Sequence, residues 1–236
     1  LAANIVDGLT ESIRAEGITA PLYFSQNDGT LMDVDHARRY PVATFASGPT
    51  NSMRGAASLS GLDTCAVVDI GGTTSDIGVV HRGFPREATT EVTVADVRTN
   101  FRMPDITSLG LGGGGLVRED PVRGITVGPD SVGAELVSKA LVFGGDAVTA
   151  TDVAVAAGRA DIGDPGRVTH LSPAFARAAL DHIAREAAEA IERMRTSPEP
   201  LPVVAVGGGS ALLPDQLSGI GRVHRPEHYA VANAIG

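Results

Sequence analysis

The stretch that decides the fold is Cys65-Ala66-Val67-Val68-Asp69-Ile70-Gly71-Gly72-Thr73-Thr74-Ser75-Asp76-Ile77-Gly78-Val79-Val80. Residues 65–70 form the kind of apolar run expected of a buried strand, and residues 76–80 read as its return. Between them, residues 71–74 make a tight turn. Side chains at such a turn would obstruct a polyphosphate, whereas glycines let backbone N–H groups close on its oxygens. Thr73 and Thr74 add hydroxyl donors, and Asp69 and Asp76 flank the turn where Mg²⁺ would sit. Magnesium takes a few carboxylates together with waters and phosphate oxygens, so the mixture suits a nucleotide–metal pair. The plainer reading is a hairpin turn with polar caps. An acid-x-Gly-Gly-Thr-Thr-x-acid pattern between apolar strands is rarer than that and favours the site.

Two other glycine clusters follow. Residues 110–115 contain a formal G-x-G-x-x-G at Gly110, Gly112 and Gly115, but the segment before Pro121 is too short for the helix that a dinucleotide fold requires. The alternatives are a loop in close backbone contact with a ligand, through Gly112, Gly113 and Gly114, or a flexible turn. Gly207-Gly208-Gly209-Ser210 leaves the strand Val203-Val204-Ala205-Val206 and enters Ala211-Leu212-Leu213. A strand-to-helix turn of this kind suits ribose or adenine, and close packing of helix on strand explains it equally well.

The remaining elements set an α/β frame. Leu1, Ile5, Leu9 and Ile13 give an amphipathic helix, residues 22–24 a short strand closed by Asn27-Asp28-Gly29, and residues 42–46 another strand. A small-residue helix starts at Ser47-Gly48-Pro49 and stops at Gly61. Residues 90–128 read as β-rich and irregular. Helices are expected over 131–143 and 151–158, the second opening at Thr151-Asp152; Asp152 there is a helix cap or a catalyst, with the cap favoured. The longest helix opens at Ser172-Pro173 and runs to about Arg195, its buried stripe formed by Phe175, Ala179, Leu180, Ile183, Ala187, Ile191 and Met194. The order of strands and helices points to a mixed sheet flanked by helices.

Composition removes several functions. The 236 residues carry a net charge of −9, which argues against a nucleic-acid surface. Lys139, the single lysine, follows Ser138, so no Walker phosphate loop exists. A lone Cys65 excludes an intrachain disulfide and a cysteine zinc site, and no apolar stretch is long enough to span a bilayer. The chain reads as soluble and cytoplasmic. His224 and His228 are separated by Pro226, which breaks the helix that a zinc pair needs. A G-x-S-x-G elbow is absent, which disfavours a serine hydrolase.

With the three glycine clusters in this order, the chain resembles the actin-like ATPase superfamily. Asp69 to Asp76 looks like its second phosphate motif, residues 203–214 like its adenosine motif, and residues 231–236 like its second connecting helix. The likeness narrows to the A-type members of the hydantoinase/5-oxoprolinase family, through Ser47-Gly48-Pro49, the Asp-x-Gly-Gly-Thr-x-x-Asp turn, Val127-Gly128-Pro129-Asp130-Ser131-Val132-Gly133-Ala134 and Thr149-Ala150-Thr151-Asp152. Two departures stand out: the segment Asp105-Ile106-Thr107-Ser108 lacks the histidine many relatives carry, and the family's first phosphate motif is absent. The resemblance therefore implies a ribonuclease H-like, actin-type ATPase half cut from a longer chain. Residues 1–50 would be the tail of a preceding subdomain, and 51–236 a nucleotide-binding subdomain with a β-rich insertion around 90–170. The implied activity is ATP-driven opening of a cyclic amide (hydantoin, 5-oxoproline or lactam), with Mg²⁺ and a separate B-type protein as partner. Asp69, Asp76 and Thr74 would be catalytic, and Asp69 and Asp76 would hold the metal. Gly71, Gly72 and Thr73 would bind phosphates, Gly112, Gly113 and Gly114 would cover them, and Gly207, Gly208, Gly209 and Ser210 would face the nucleoside. A sugar or carboxylate kinase of the same superfamily and a non-catalytic ATP-responsive module are the alternatives.

Overall fold

An amphipathic opening needs a partner for its apolar side, and the first forty residues supply one. In the computed structural model, which describes residues 2–88, 93–94, 97–98, 103–122 and 124–236, helix α1 (Ala2–Ala15) is followed by a hairpin of β1 (Tyr23–Ser25) and β2 (Leu31–Asp33). Helix α2 (Val34–Arg39) is capped by Asp33, whose carboxylate accepts from the His36 N–H. Val6, Met32 and Ala37 are buried together in a small core of their own. Residues 42–46 are not the expected strand. Pro41, with its fixed φ, starts a 3-10 turn over Pro41–Thr44, and Thr44 Oγ1 donates back to the Pro41 carbonyl at 2.7 Å. Helix α3 (Ser47–Ser60) follows, continuous across residue 50, and ends at Gly61 in the left-handed region, φ 68°.

Residues 65–80 fold as their pattern predicts. Strands β3 (Cys65–Ile70) and β4 (Ser75–His81) pair antiparallel. β5 (Phe84–Pro85) pairs with the end of β4, and β6 (Thr93–Val94) and β7 (Val97–Arg98) pair antiparallel with each other. β8 (Ile106–Leu109) pairs with β4, while β9 (Gly115–Asp120) and β10 (Gly124–Ser131) form a second long hairpin. The β-rich reading of 90–128 is met by these strands; the parts of it at 90–92, 95–96, 99–102 and 123 lie outside the described residues.

The single helix expected over 131–143 is replaced by three short pieces. β10 continues to Ser131, and 3-10 turns at Gly133–Glu135 and Leu141–Phe143 enclose α4 (Leu136–Lys139). Ala140, extended at ψ 146°, breaks the helical run, and the Val142 N–H just beyond it donates to Asp152 at 2.8 Å. Helix α5 (Ala150–Ala156) opens one residue earlier than expected, with Thr149 rather than Thr151 as its cap. Asp152 closes a capping box, accepting the Thr149 N–H and hydroxyl, both at 2.7 Å. It is fully buried, which settles its cap reading.

Helix α6 (Pro173–Met194) is capped by Ser172 and buries the expected stripe, with Phe175 only partly covered. β11 (Val203–Val206) leads into a 3-10 turn at Ser210–Leu212, one turn long, in place of the expected helix. β12 (Gln216–Leu217), β13 (Gly221–His224) and α7 (Ala232–Ile235) complete the chain. His224 lies at the end of β13.

The main sheet runs β12-β13-β11-β3-β4-β5, with β8 also paired to β4; β11 is parallel to both neighbours and the other pairs are antiparallel. Strand alternation then sorts the side chains. Cys65, Val67, Val80, Val204 and Val206 face α3 and α7. Ala66, Val68, Ile77, Val79, Val203 and Ala205 face α5, α6 and the β9–β10 hairpin. Gly78 leaves the room that Met53 of α3 fills, since a Cβ there would lie 2.0 Å from the Met53 methyl. This is the mixed sheet flanked by helices that the sequence predicts.

Two measurements probe this core. Asp152→Ala would strand the Val142 and Thr149 N–H groups in a buried site, at about 1–3 kcal/mol for each unsatisfied group; urea unfolding should register a loss of about 3 kcal/mol or more. Burial pushes the Cys65 thiol up to about 12, so the folded protein should resist iodoacetamide at mildly alkaline pH and react fully once unfolded. Rapid alkylation of the native protein would contradict the packing of β3.

Candidate functional site

Period-two alternation places Asp69 on the same face as Cys65 and Val67, and Asp76 on the same face as Val80. Both carboxylates therefore face the side of the sheet covered by α3 and α7. The register sets them directly opposite each other, as the last charged pair before the turn. The turn is closed by the Gly71 N–H donating to the Thr74 carbonyl at 2.9 Å. Gly72, Thr73 and Thr74 are exposed at its tip, while Asp69 and Asp76 are half-buried behind it.

Like charges placed directly across a strand pair repel. Burial pushes the Asp69 carboxyl above the usual carboxylate range; a hydrogen bond from Ser52 works against that rise, and the neighbouring Asp76 adds to it. Asp76 accepts from the hydroxyl of Ser108, its cross-strand neighbour on β8. Neither serine stands out in the sequence, because each reaches its aspartate only through a contact between separate elements.

The second glycine cluster packs on the first. The Gly113 N–H donates to the Gly71 carbonyl at 2.9 Å and the Gly114 N–H to the Gly72 carbonyl at 2.6 Å. A Cβ on Gly112 would lie 2.6 Å from the Thr73 nitrogen, so only glycine permits this approach. The loop is itself anchored: Thr151 donates to the Gly113 carbonyl through both its N–H and its hydroxyl, and Ser75 Oγ donates to the Leu111 carbonyl. The N–H groups of Gly113 and Gly114 are thus committed to holding the turn.

The third cluster arrives by topology. Because β11 runs parallel to β3 with Val206 beside Asp69, its end falls next to the end of β3. Gly207, at φ 83°, lies against the Asp69 carboxylate: a Cβ there would sit 2.3 Å from Oδ1. The Gly209 N–H donates to the Ile70 carbonyl at 2.8 Å. Gly208 faces open space, and the hydroxyl of Ser210 is fully buried without a hydrogen-bond partner among the described residues. Beside this turn, Arg159, Asp215, Arg225 and Tyr229 line a polar cavity of about 380 Å³. A wider apolar groove of about 820 Å³ lies by Thr64 and Pro202, at the opposite end of β3 and β11 from the turn.

The donors gathered at the turn are all oxygen: two carboxylates and two threonine hydroxyls. Among the described residues there is no cluster of three or more histidine, cysteine or carboxylate side chains able to hold a metal alone. A carboxylate pair completed by waters and a polyphosphate is what Mg²⁺ accepts, and a cation would relieve the Asp69–Asp76 repulsion. Asp69 and Asp76 thus fit that ion.

Relatives extend the geometry. The chain is 30% identical over 156 residues to the caprolactamase alpha subunit of Pseudomonas jessenii, covering 65% of this chain and 22% of that protein. It is 27% identical over 160 residues to the acetophenone carboxylase gamma subunit of Aromatoleum aromaticum, covering 66% and 21%. An uncharacterized protein of Methanocaldococcus jannaschii is 24% identical over 208 residues, 82% of this chain and 31% of that protein. Among solved structures, nucleotide-free acetone carboxylase superimposes with a TM-score of 0.74 at 21% identity, over 99% of this chain and 37% of the other. The ATP-dependent caprolactamase of Pseudomonas jessenii gives 0.73 at 19%, over 98% and 38%. The chain thus spans less than two fifths of each of these proteins. A hydantoinase/oxoprolinase family model matches residues 2–164. On that match, over more than half of its length, this chain belongs to the hydantoinase/oxoprolinase family.

Proposed function

We propose that this chain supplies the second phosphate turn and the nucleoside side of a cytoplasmic, ATP-dependent enzyme that opens a cyclic amide, working with a separate B-type partner protein. The observation that carries this reading is the opposed pair Asp69 and Asp76 behind a glycine turn whose shape is held from below by Gly113 and Gly114. The likeness to a caprolactamase supports the choice of a cyclic amide.

The chemistry has a clear need for ATP. An unstrained amide is a poor electrophile, so the γ-phosphoryl group is transferred to the amide oxygen and ADP departs. Water then adds to the activated carbon, the ring C–N bond breaks, and a second water releases phosphate from the acyl phosphate. In this reading the Gly71 N–H is spent on closing the turn, so the backbone N–H of Gly72 and the hydroxyls of Thr73 and Thr74 bind the phosphates, with Thr74 and Asp76 nearest the transferred group. Asp69 and Asp76 would hold the metal. Bound Mg²⁺ would neutralise charge on the phosphate oxygens. Gly112 keeps the turn accessible by letting the second loop pass beneath it. Gly207 and Gly209 seat the β11 turn against Asp69 and Ile70, and Gly208 and the Ser210 turn border the nucleoside.

Asp69→Asn keeps the shape and removes the charge, and in the full-length protein it should lower ATP turnover about a hundredfold or more with the melting temperature nearly unchanged. Phosphate release within a few-fold of wild type would refute the metal assignment. Product analysis separates the readings of the whole protein. A ring-opened amino acid with free phosphate supports the amide hydrolase, and a stable phosphorylated product identifies a kinase. Bicarbonate-dependent consumption of a ketone would place the protein with the carboxylase relatives. No substrate-dependent phosphate release would leave the non-catalytic module.

The third glycine cluster gives a second test, because its members sit in different surroundings. Gly208→Val projects into open space, so it should weaken ATP binding while leaving thermal stability in place. Gly209→Ala meets the Ile70 side chain at 2.6 Å and should lower stability. Unchanged ATP affinity in Gly208→Val, read by calorimetric titration of the full-length protein, would remove this turn from the nucleotide site.

A further inference from the structure

Two carboxylates held directly opposite each other would swing apart unless something fixes them. Each of these two has one serine from a different element. Ser108, exposed on β8, donates its hydroxyl proton to Asp76 Oδ1. Ser52, almost fully buried on α3, lies under the face of the sheet that carries Asp69 and works against the rise of that carboxyl.

The direction of the Ser52 hydroxyl is set from behind. A serine inside a helix commonly donates to the carbonyl four residues earlier, which here is that of Gly48. That carbonyl instead accepts from Asn233 Nδ2 of α7 at 2.7 Å. The same amide nitrogen donates to Ser52 Oγ at 3.2 Å. Gly48 offers only an acceptor, so the amide must turn its NH₂ toward α3, and the Ser52 oxygen receives one of those protons. The hydroxyl's own proton is thereby free for an acceptor on the facing sheet, the face that carries Asp69. Asn233 can reach this far because α7 meets α3 without intervening side chains: a Cβ on Gly55 would lie 1.9 Å from the Ala232 carbonyl.

Resting on the reading of Asp69 and Asp76 given above, we propose that Ser108 and Ser52 are the positioning residues of the carboxylate pair, Ser108 aiming Asp76 and Ser52, oriented by Asn233, aiming Asp69. The two serines oppose the mutual repulsion of the carboxylates by donating to their charged forms, and so keep both directed toward the phosphate turn before any cation arrives.

The test uses the full-length protein. Ser108→Ala should lower kcat for ATP turnover about tenfold or more with little change in KM for ATP and an unchanged melting temperature, since the site is exposed. Ser108→Thr, which keeps the hydroxyl, should restore the rate. In nucleotide-free crystal structures, Asp76 should leave its wild-type rotamer in Ser108→Ala and keep it in Ser108→Thr. For the other arm, Asn233→Ala should slow turnover in the wild-type background and have no further effect on kcat in Ser52→Ala. Full turnover and an unmoved Asp76 in Ser108→Ala, or additive effects of the Ser52 and Asn233 changes, would overturn the proposal. Asp69→Asn and Asp76→Asn run alongside separate the two claims. If these are inactive while the serine variants are normal, only the positioning role fails; if these are active, the reading of the site itself fails.

Discussion

A methyl group at residue 112 would collide with the backbone of Thr73, and much of the structure is arranged around the close approach this forbids. The loop at 112–115 passes directly beneath the turn at 71–74 and holds it through two backbone hydrogen bonds. The same loop is tied to α5 through Thr151, to the residue just past β10 through the Val132 N–H, and at its start, through Leu111, to Ser75 of β4. A short turn between two strands would normally sample several shapes. This one is buttressed by three other elements, which is the condition for binding an anion without reorganisation.

Charge placement depends on the sheet in the same way. Antiparallel pairing brings Asp69 and Asp76 face to face, and the parallel neighbour β11 brings Gly207 against Asp69 from the side. Burial raises the Asp69 carboxyl above the usual carboxylate range, and the facing Asp76 adds to the rise. Serine hydroxyls on α3 and β8 stabilise the arrangement partly, and a cation with phosphate oxygens would complete it. A site whose empty form is strained by like charge favours the ligand that relieves the strain.

Fold and site were legible in the sequence to different depths. The hairpin around Asp69 to Asp76, the long helix from Pro173, and α3 with its Gly61 stop were readable because apolar periodicity, a capping serine and a left-handed glycine are local signals. The strand expected at 42–46 and the single helix expected at 131–143 were not, because local pattern there yields to context. Pro41 starts a tight turn in the first, and in the second the buried Asp152 draws the Val142 N–H out of helical register. Residues 110–115 carried a dinucleotide-like spacing whose glycines turn out to serve backbone contact with another loop.

By itself, the sequence determined the parts that depend on neighbours along the chain: two acids separated by six residues around a glycine turn, three glycine clusters in order, and the alternation that sends both acids to one face of the sheet. Only the tertiary structure decided which elements meet at that face. The pairing of Asp76 with Ser108, the reach of Asn233 from α7 to Ser52 on α3, and the seating of residues 112–115 beneath the turn all join segments tens of residues or more apart. Such contacts leave no periodicity behind, because each is set by how close two backbones can come, and that distance is fixed by the packing of the whole sheet.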